Sequence, residues 1–224
     1  MCGRFTLVTG PAGIQIAFPG VDVPDTLVPR YNIAPSQPVA VLRDTGANQV
    51  ELLRWGLIPP WAKDPAIGNR LINARAETLA EKPTFRTALR RRRCLILADG
   101  FYEWRQEPPP DNRRKTPFYF RLKSGTPFAF AGLWEAWQGP EDQQWLSCTI
   151  VTTTPNTLLQ TVHTRMPVML QSRYYAQWLS PAEQDPASLV PLLEPYPAEE
   201  MEGYVVSTLV NDPKNDRPEC IVPV

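Results

Sequence analysis

The chain has 224 residues, and its 23 Lys and Arg are balanced by 23 Asp and Glu, with one His and four Cys. That length suits one large domain with a sizeable core. No apolar run reaches the length of a membrane span, and the opening MCGRFTL lacks a charged-then-apolar secretory signal, so a cytoplasmic location is expected. Four scattered cysteines with no C-x-x-C pair, beside a single His, exclude the usual zinc ligand sets, and no metal or other cofactor is expected.

In chain order, CGRFTLV (2–8) reads as a strand and PAGIQIAF (11–18) as a short helix opened by Pro11. PVAVLRD (38–44) and QVELLRWGL (49–57) flank Thr45-Gly46-Ala47-Asn48 and predict a hairpin. PTFRTALRRRR (83–93) is helix-like, with Pro83 in its first turn. CLILADGFYEW (94–104) predicts one buried strand. The proline-rich stretch 107–115 predicts an exposed loop. TPFYFRL (116–122) and TPFAFAGLWEAW (126–137) flank Lys123-Ser124-Gly125 and predict a second hairpin. WLSCTIVTTT (145–154) reads as a strand, YYAQWL (174–179) as a short helix and GYVVSTLV (203–210) as a last strand. No βαβ alternation and no internal repeat is visible. The fold class expected is α+β: a single domain over 1–224 with a largely antiparallel, twisted or barrel-like β core and scattered short helices.

Charge is unevenly spread. Nine acidic and two basic residues follow position 180, leaving 21 basic and 14 acidic before it. The basic side is mostly arginine, whose planar fork suits phosphate. A basic body with an acidic end fits a local nucleic-acid groove, and equally an ordinary solvated surface. The run Arg90–Arg93 ends a helix, where charge complements the helix dipole, and is not assigned to a site.

Met1 precedes Cys2 and Gly3, and methionine before a small residue is normally trimmed. The trimmed chain would begin with an amine and a thiol on adjacent carbons. An α-amine titrates at ~7.7–8.0, so part of it is a neutral nucleophile at physiological pH. Such an amine condenses with an aldehyde to an imine. The thiol can then close on the imine carbon and give a thiazolidine, which resists hydrolysis.

A set of local strings accompanies this start: MCGRF, RYNIAPSQ (30–37), RWGLIPPWAKD (54–64), NARAETLAEKPTFR (73–86), LADGFYEW (97–104), FAGLWE (130–135), TTTPN (152–156) and HTRMPVML (163–170). Together, and in this order, they resemble the SOS response-associated peptidase family, whose members crosslink to abasic DNA. The resemblance runs from residue 1 to about residue 210. It implies that Cys2 is the crosslinking residue and Asn73 orients the reacting centre. It implies further that Glu103 is the catalytic carboxylate and His163 the active-site histidine. Arg4, Arg75 and Arg165 match DNA-contacting arginines, and Trp55, Trp61 and Pro35 lie where the family stacks on bases beside the lesion. The partner implied is single-stranded DNA carrying abasic sites, bound by a monomer that is nucleoid-associated, with no membrane.

Elementary chemistry gives these residues work of the same kind. An abasic deoxyribose is mostly a closed hemiacetal, and opening it moves a proton on and off the ring oxygen, a task for a carboxyl group of raised pKa. Glu103 sits in an apolar, aromatic strand where burial would raise its pKa, although it shares a face with Phe101 and Arg105 and also fits a surface position. His163 suits proton transfer near neutrality, and Pro167 keeps H-T-R-M-P out of regular helix. Tryptophan stacks on any base, contributing ~1–3 kcal/mol, and at least one of Trp55 and Trp61 is expected in the core instead. Two other readings stay open: an N-terminal-nucleophile peptidase or amidohydrolase using the Cys2 thiol, and a single-strand binder without chemistry.

Overall fold

The computed structural model describes residues 2–111, 115–140 and 143–224. Two sheets carry the architecture. The smaller has strand order β13-β8-β7-β1-β2 and is antiparallel: β1 (Phe5–Leu7), β2 (Arg30–Ile33), β7 (Gly100–Gln106), β8 (Lys115–Leu122) and β13 (Met201–Val205). The larger runs β11-β10-β4-β3-β6-β9-β12, with β3 (Pro38–Arg43), β4 (Glu51–Trp55), β6 (Arg93–Ala98), β9 (Phe128–Gln138), β10 (Gln144–Thr153), β11 (Met166–Pro167) and β12 (Met169–Leu170). Because β10 also pairs with β9, the strands β10, β4, β3, β6 and β9 close into a ring. The barrel-like α+β expectation therefore holds. Among the described residues two strand pairings are parallel, both on β10: one with β4, the other with β5 (Asn73–Arg75).

The ring closes where the sequence is apolar on both faces. All six residues of β6, RCLILA, are buried, as are Phe128–Leu133 of β9. A strand buried on both faces needs hydrogen-bonded neighbours on both edges. One apolar core runs through both sheets, from Phe5 and Phe101 to Leu53, Phe130 and Ile150. The helices α1 (Pro11–Ala17) and α2 (Pro83–Arg91) each open on proline, and α2 buries Phe85, Ala88 and Leu89, the one-turn spacing of a helix face.

The first expected hairpin is present, with Pro38 opposite Arg54 and Val41 opposite Glu51. The second is not a hairpin. β8 pairs with β7 and β13, β9 pairs with β6, β10 and β12, and Lys123-Ser124-Gly125 carries the chain from one sheet to the other. The expected strand 94–104 is likewise two strands in two sheets. Asp99 breaks it: its carboxylate accepts Val8 N–H at 2.6 Å, Thr9 N–H at 2.7 Å and the Thr6 hydroxyl at 2.6 Å. Gly100 follows because a Cβ there would lie 2.0 Å from the Tyr119 hydroxyl oxygen. The last strand stops at Val205, and Thr208–Asn211 form a 3₁₀ turn. Of the loop expected over 107–115, residues 112–114 lie outside the described residues, and Lys115 already belongs to β8.

The acidic end folds back on the basic body. Glu183 meets Arg90 and Arg91, Asp216 pairs with Arg30, and Glu202 with Arg121. Arg93 is fully buried, donating to carbonyls of Leu89, Trp178, Ser180 and Ala182, and Asp44 lies 3.3 Å from it. Three of the nine acidic residues after position 180 are thus matched to arginines of the basic body. Among the described residues no helix is long and apolar enough to cross a membrane.

Candidate active site

Four separate parts of the chain meet at Cys2. The residue is fully buried just ahead of β1, and its carbonyl accepts Asn73 Nδ2 at 2.8 Å. Asn73 stands on β5, in parallel register with Ile150 of β10, so the strand that closes the ring also fixes this amide. Arg75 lies on the same face of β5 and is exposed, while Ala74 between them is buried. Burial pushes the Cys2 thiol well above its ordinary pKa, and the charge of Glu103 raises it further. Met1 lies outside the described residues.

Glu103 comes from β7, which pairs with β1 through Phe101 and Phe5 and with β8 through Phe118. It is 2% exposed, and burial lifts its carboxyl to a pKa of about 7. His163 approaches from the loop before β11, its Nε2 4.0 Å from Glu103 Oε2. The backbone N–H of Arg165 donates to His163 Nδ1 at 3.0 Å, so the ring proton belongs on Nε2, toward Glu103. Burial lowers the His163 pKa and favours the neutral ring. A carboxyl raised by burial and an imidazole whose pKa burial lowers therefore face each other.

They open onto a cavity of about 430 Å³ lined by Gly3, Arg4, Glu103, Trp104, Lys115, His163 and Asn211. Arg4 Nη1 donates to Asn32 Oδ1 and to the Val210 carbonyl, both at 2.7 Å, and its guanidinium lies 5.9 Å from the centre of the Trp104 ring. Asn32 is itself fixed by donating to the carbonyls of Val210, Asp212 and Asn215. The Trp104 indole N–H is held by Asn211 Oδ1 at 2.7 Å. Sequence reasoning missed Trp104, Lys115, Asn32 and Asn211. Trp104 closes the GFYEW string and could have been noticed; the others are brought in by the C-terminal segment and by strand pairing.

The remaining expected residues divide. Trp55 is a correction: it is fully buried, its indole N–H bonded to the Ile72 carbonyl at 2.9 Å and its ring edge-on to Phe5 at 5.1 Å, so it has no face to offer a base. The cause is β4, whose burial alternates and turns Leu53 and Trp55 inward. Trp61 is 63% exposed, but it lines a different cavity, of about 300 Å³, with Lys63, Ile67 and Arg70. Pro35 is half-buried in the turn before β3. Arg165 is mostly committed: its two Nη atoms meet Glu77 Oε1 and Oε2 at 2.5 and 2.9 Å, and Nη2 also donates to the Thr152 carbonyl at 2.6 Å. Among the described residues no cluster of three or more His, Cys, Asp or Glu is placed to hold a metal.

Comparison with known proteins identifies kin. Residues 1–213 match the family described as SOS response associated peptidase (SRAP). The abasic site processing protein YoqW of Bacillus subtilis is 50% identical over 99% of both chains. The abasic site processing protein HMCES of Rattus norvegicus is 30% identical over 89% of this chain and 66% of its own. A solved structure of a Bacteroides thetaiotaomicron protein superposes over the whole of both chains with a TM-score of 0.87 at 25% identity.

Proposed function

The chain belongs to the SOS response associated peptidase family, and on that premise we propose that it processes abasic sites in single-stranded DNA by a covalent bond to Cys2. The observation that carries the reading is the facing pair Glu103 and His163 at the buried N-terminal cysteine, open to a cavity with cationic Arg4 and Lys115.

Removal of Met1 frees the Cys2 α-amine. Glu103, poised near neutrality, gives its proton to the ring oxygen of the closed deoxyribose while its other carboxyl oxygen takes the proton of the anomeric hydroxyl. The C1′–ring-oxygen bond breaks, and the C1′ aldehyde opens with Glu103 again protonated. The amine adds to C1′ and water leaves, giving an imine. The Cys2 sulfur then bonds to C1′, and the thiol proton passes to the ring nitrogen, closing the thiazolidine. Glu103 is the base within reach for a thiol that burial holds protonated. His163 Nε2–H, 4.0 Å from Glu103 Oε2, is the donor placed to close on the carboxylate form of Glu103 when it arises. Asn73 fixes the Cys2 carbonyl, and its Oδ1, buried without a hydrogen-bond partner among the described residues, is the acceptor available to orient the freed amine. The same geometry counts against a peptidase using Asn73 as an oxyanion donor, since its amide is spent on the carbonyl of Cys2 itself.

The test is incubation with a single-stranded oligonucleotide bearing one abasic site, followed by a denaturing gel. Wild-type protein gives a heat-stable shifted band and Cys2→Ala gives none. Cys2→Ser, which keeps the amine, gives a band only after borohydride reduction. A Cys2→Ser band as stable as wild type without reductant would rule out the thiazolidine.

A further inference from the structure

We propose that Glu77 is a built-in competitor for the DNA backbone: its carboxylate occupies the fork of Arg165 until a phosphate displaces it, and so weakens binding to strands that offer nothing else. The inference rests on the reading that Arg165 contacts single-stranded DNA.

The geometry is that of an anion site already filled. Glu77 Oε1 and Oε2 each take one Nη of Arg165, at 2.5 and 2.9 Å. A phosphate engages guanidinium through the same two parallel bonds. The partners are unequally held. The Arg165 side chain is 15% exposed and keeps a second anchor at the Thr152 carbonyl, 2.6 Å from Nη2, so it stays in place when the carboxylate leaves. Glu77 stands on the 3₁₀ turn Ala76–Thr78, with its side chain 44% exposed, and can swing into water. A structural clamp would bury both partners, whereas a half-exposed ion pair adds little to stability.

Position adds a second argument. Arg75, two residues before Glu77 and exposed, also acts on its charge, so the carboxylate lies in the field of both arginines. A phosphate crossing from one to the other must take that place. Binding is then an exchange of carboxylate for phosphate. The carboxylate set free regains its own counterion, so fewer ions are released overall and the salt dependence is shallower.

The experiment measures anisotropy of an undamaged single-stranded oligonucleotide against NaCl concentration. The proteins are wild type, Glu77→Gln, Arg165→Ala and the double variant. Glu77→Gln is expected to tighten binding by roughly two- to fivefold, the size of one half-exposed ion pair. Its log–log salt slope should steepen by about 0.7, one single-strand phosphate. In the Arg165→Ala background the same change should have at most a small effect, because no fork remains to unmask. Glu77→Asp, which keeps the charge but draws the fork back, should fall between wild type and Glu77→Gln. Weaker binding by Glu77→Gln, no change, or an equal gain in both backgrounds overturns the inference. Crosslinking of abasic DNA is scored on the same wild-type sample. If wild type crosslinks and Glu77→Gln fails to tighten, this inference alone falls; if wild type neither binds nor crosslinks, the DNA reading falls with it.

Discussion

Two glutamates are buried almost equally, Glu103 on β7 at 2% exposure and Glu135 on β9 at 3%, and burial raises the pKa of both. Their surroundings differ. Arg92 Nη2 donates to Glu135 Oε1 at 2.9 Å, and Arg92 Nε lies 2.8 Å from Oε2, so an arginine charge stands directly against that carboxylate and opposes the effect of burial. Glu103 lies 4.0 Å from the His163 imidazole, whose pKa burial lowers, and borders a cavity. Burial alone therefore does not mark a reacting group. Burial beside a cavity, with no arginine fork against it among the described residues, leaves a carboxyl lifted to about 7 that can both give and take a proton near neutrality.

Substitution should separate the two regions most sharply in rate. Glu103→Gln should slow crosslinking by roughly 10²–10⁴-fold at saturating abasic DNA, followed by quenched gel assay. An unchanged rate would assign Glu103 to packing, as for Glu135. Stability should move the other way. The folded carboxyl titrates at about 7 against an ordinary 4.5. Below the lower value both states are protonated and the site costs nothing. Between the two values the unfolded chain ionises first, so stability falls as pH rises, and above the upper value the cost is complete. Urea unfolding should thus show Glu103→Gln stabilised relative to wild type at pH 8 by up to about 3 kcal/mol, with little difference at pH 4. A variant equally destabilised at both pH values would contradict the raised pKa.

Glu135→Gln should do the reverse: a loss of about 2–3 kcal/mol in urea unfolding, from an arginine left half-paired, with crosslinking near wild type. Slow chemistry in a still-folded Glu135→Gln would erase the distinction. The smallest effect contrasts the two tryptophans by the same rule. Trp61, exposed beside Lys63 and Arg70, is expected to lose about 1–2 kcal/mol of single-strand affinity as Trp61→Ala, with an unchanged melting temperature. A lowered melting temperature with unchanged affinity would make it a packing residue like Trp55.

How much was legible follows from whether the controlling contact is local. The 38–55 hairpin was readable, because turn and alternation lie side by side. The 116–137 segment imitates that pattern, yet β8 and β9 each find other partners, and only the doubly buried β9 sequence hints at it. The break at Asp99 depends on backbone groups some 90 residues away, at Val8 and Thr9. At the candidate site, the strings named Asn73, Glu103 and His163; the fold brings Asn73 and Glu103 to Cys2, and His163 to Glu103. Trp55 and Trp61 look alike in one string, and only strand phase separates core from surface. The support of Arg4 by Asn32 and the C-terminal turn was not readable, since it joins β2 to a segment near residue 210.

The most direct test concerns the amine of Cys2, which exists only when nothing precedes it. Any residue ahead of Cys2 turns that amine into an amide, whose nitrogen is delocalised into its carbonyl and is no useful nucleophile. Protein carrying an uncleaved N-terminal extension and the same protein after cleavage to Cys2 should be mixed with abasic single-stranded DNA and their intact masses measured. The account predicts a mass of protein plus DNA minus one water for the cleaved form only, while both forms bind the strand. That same adduct at full yield on the extended protein would contradict it.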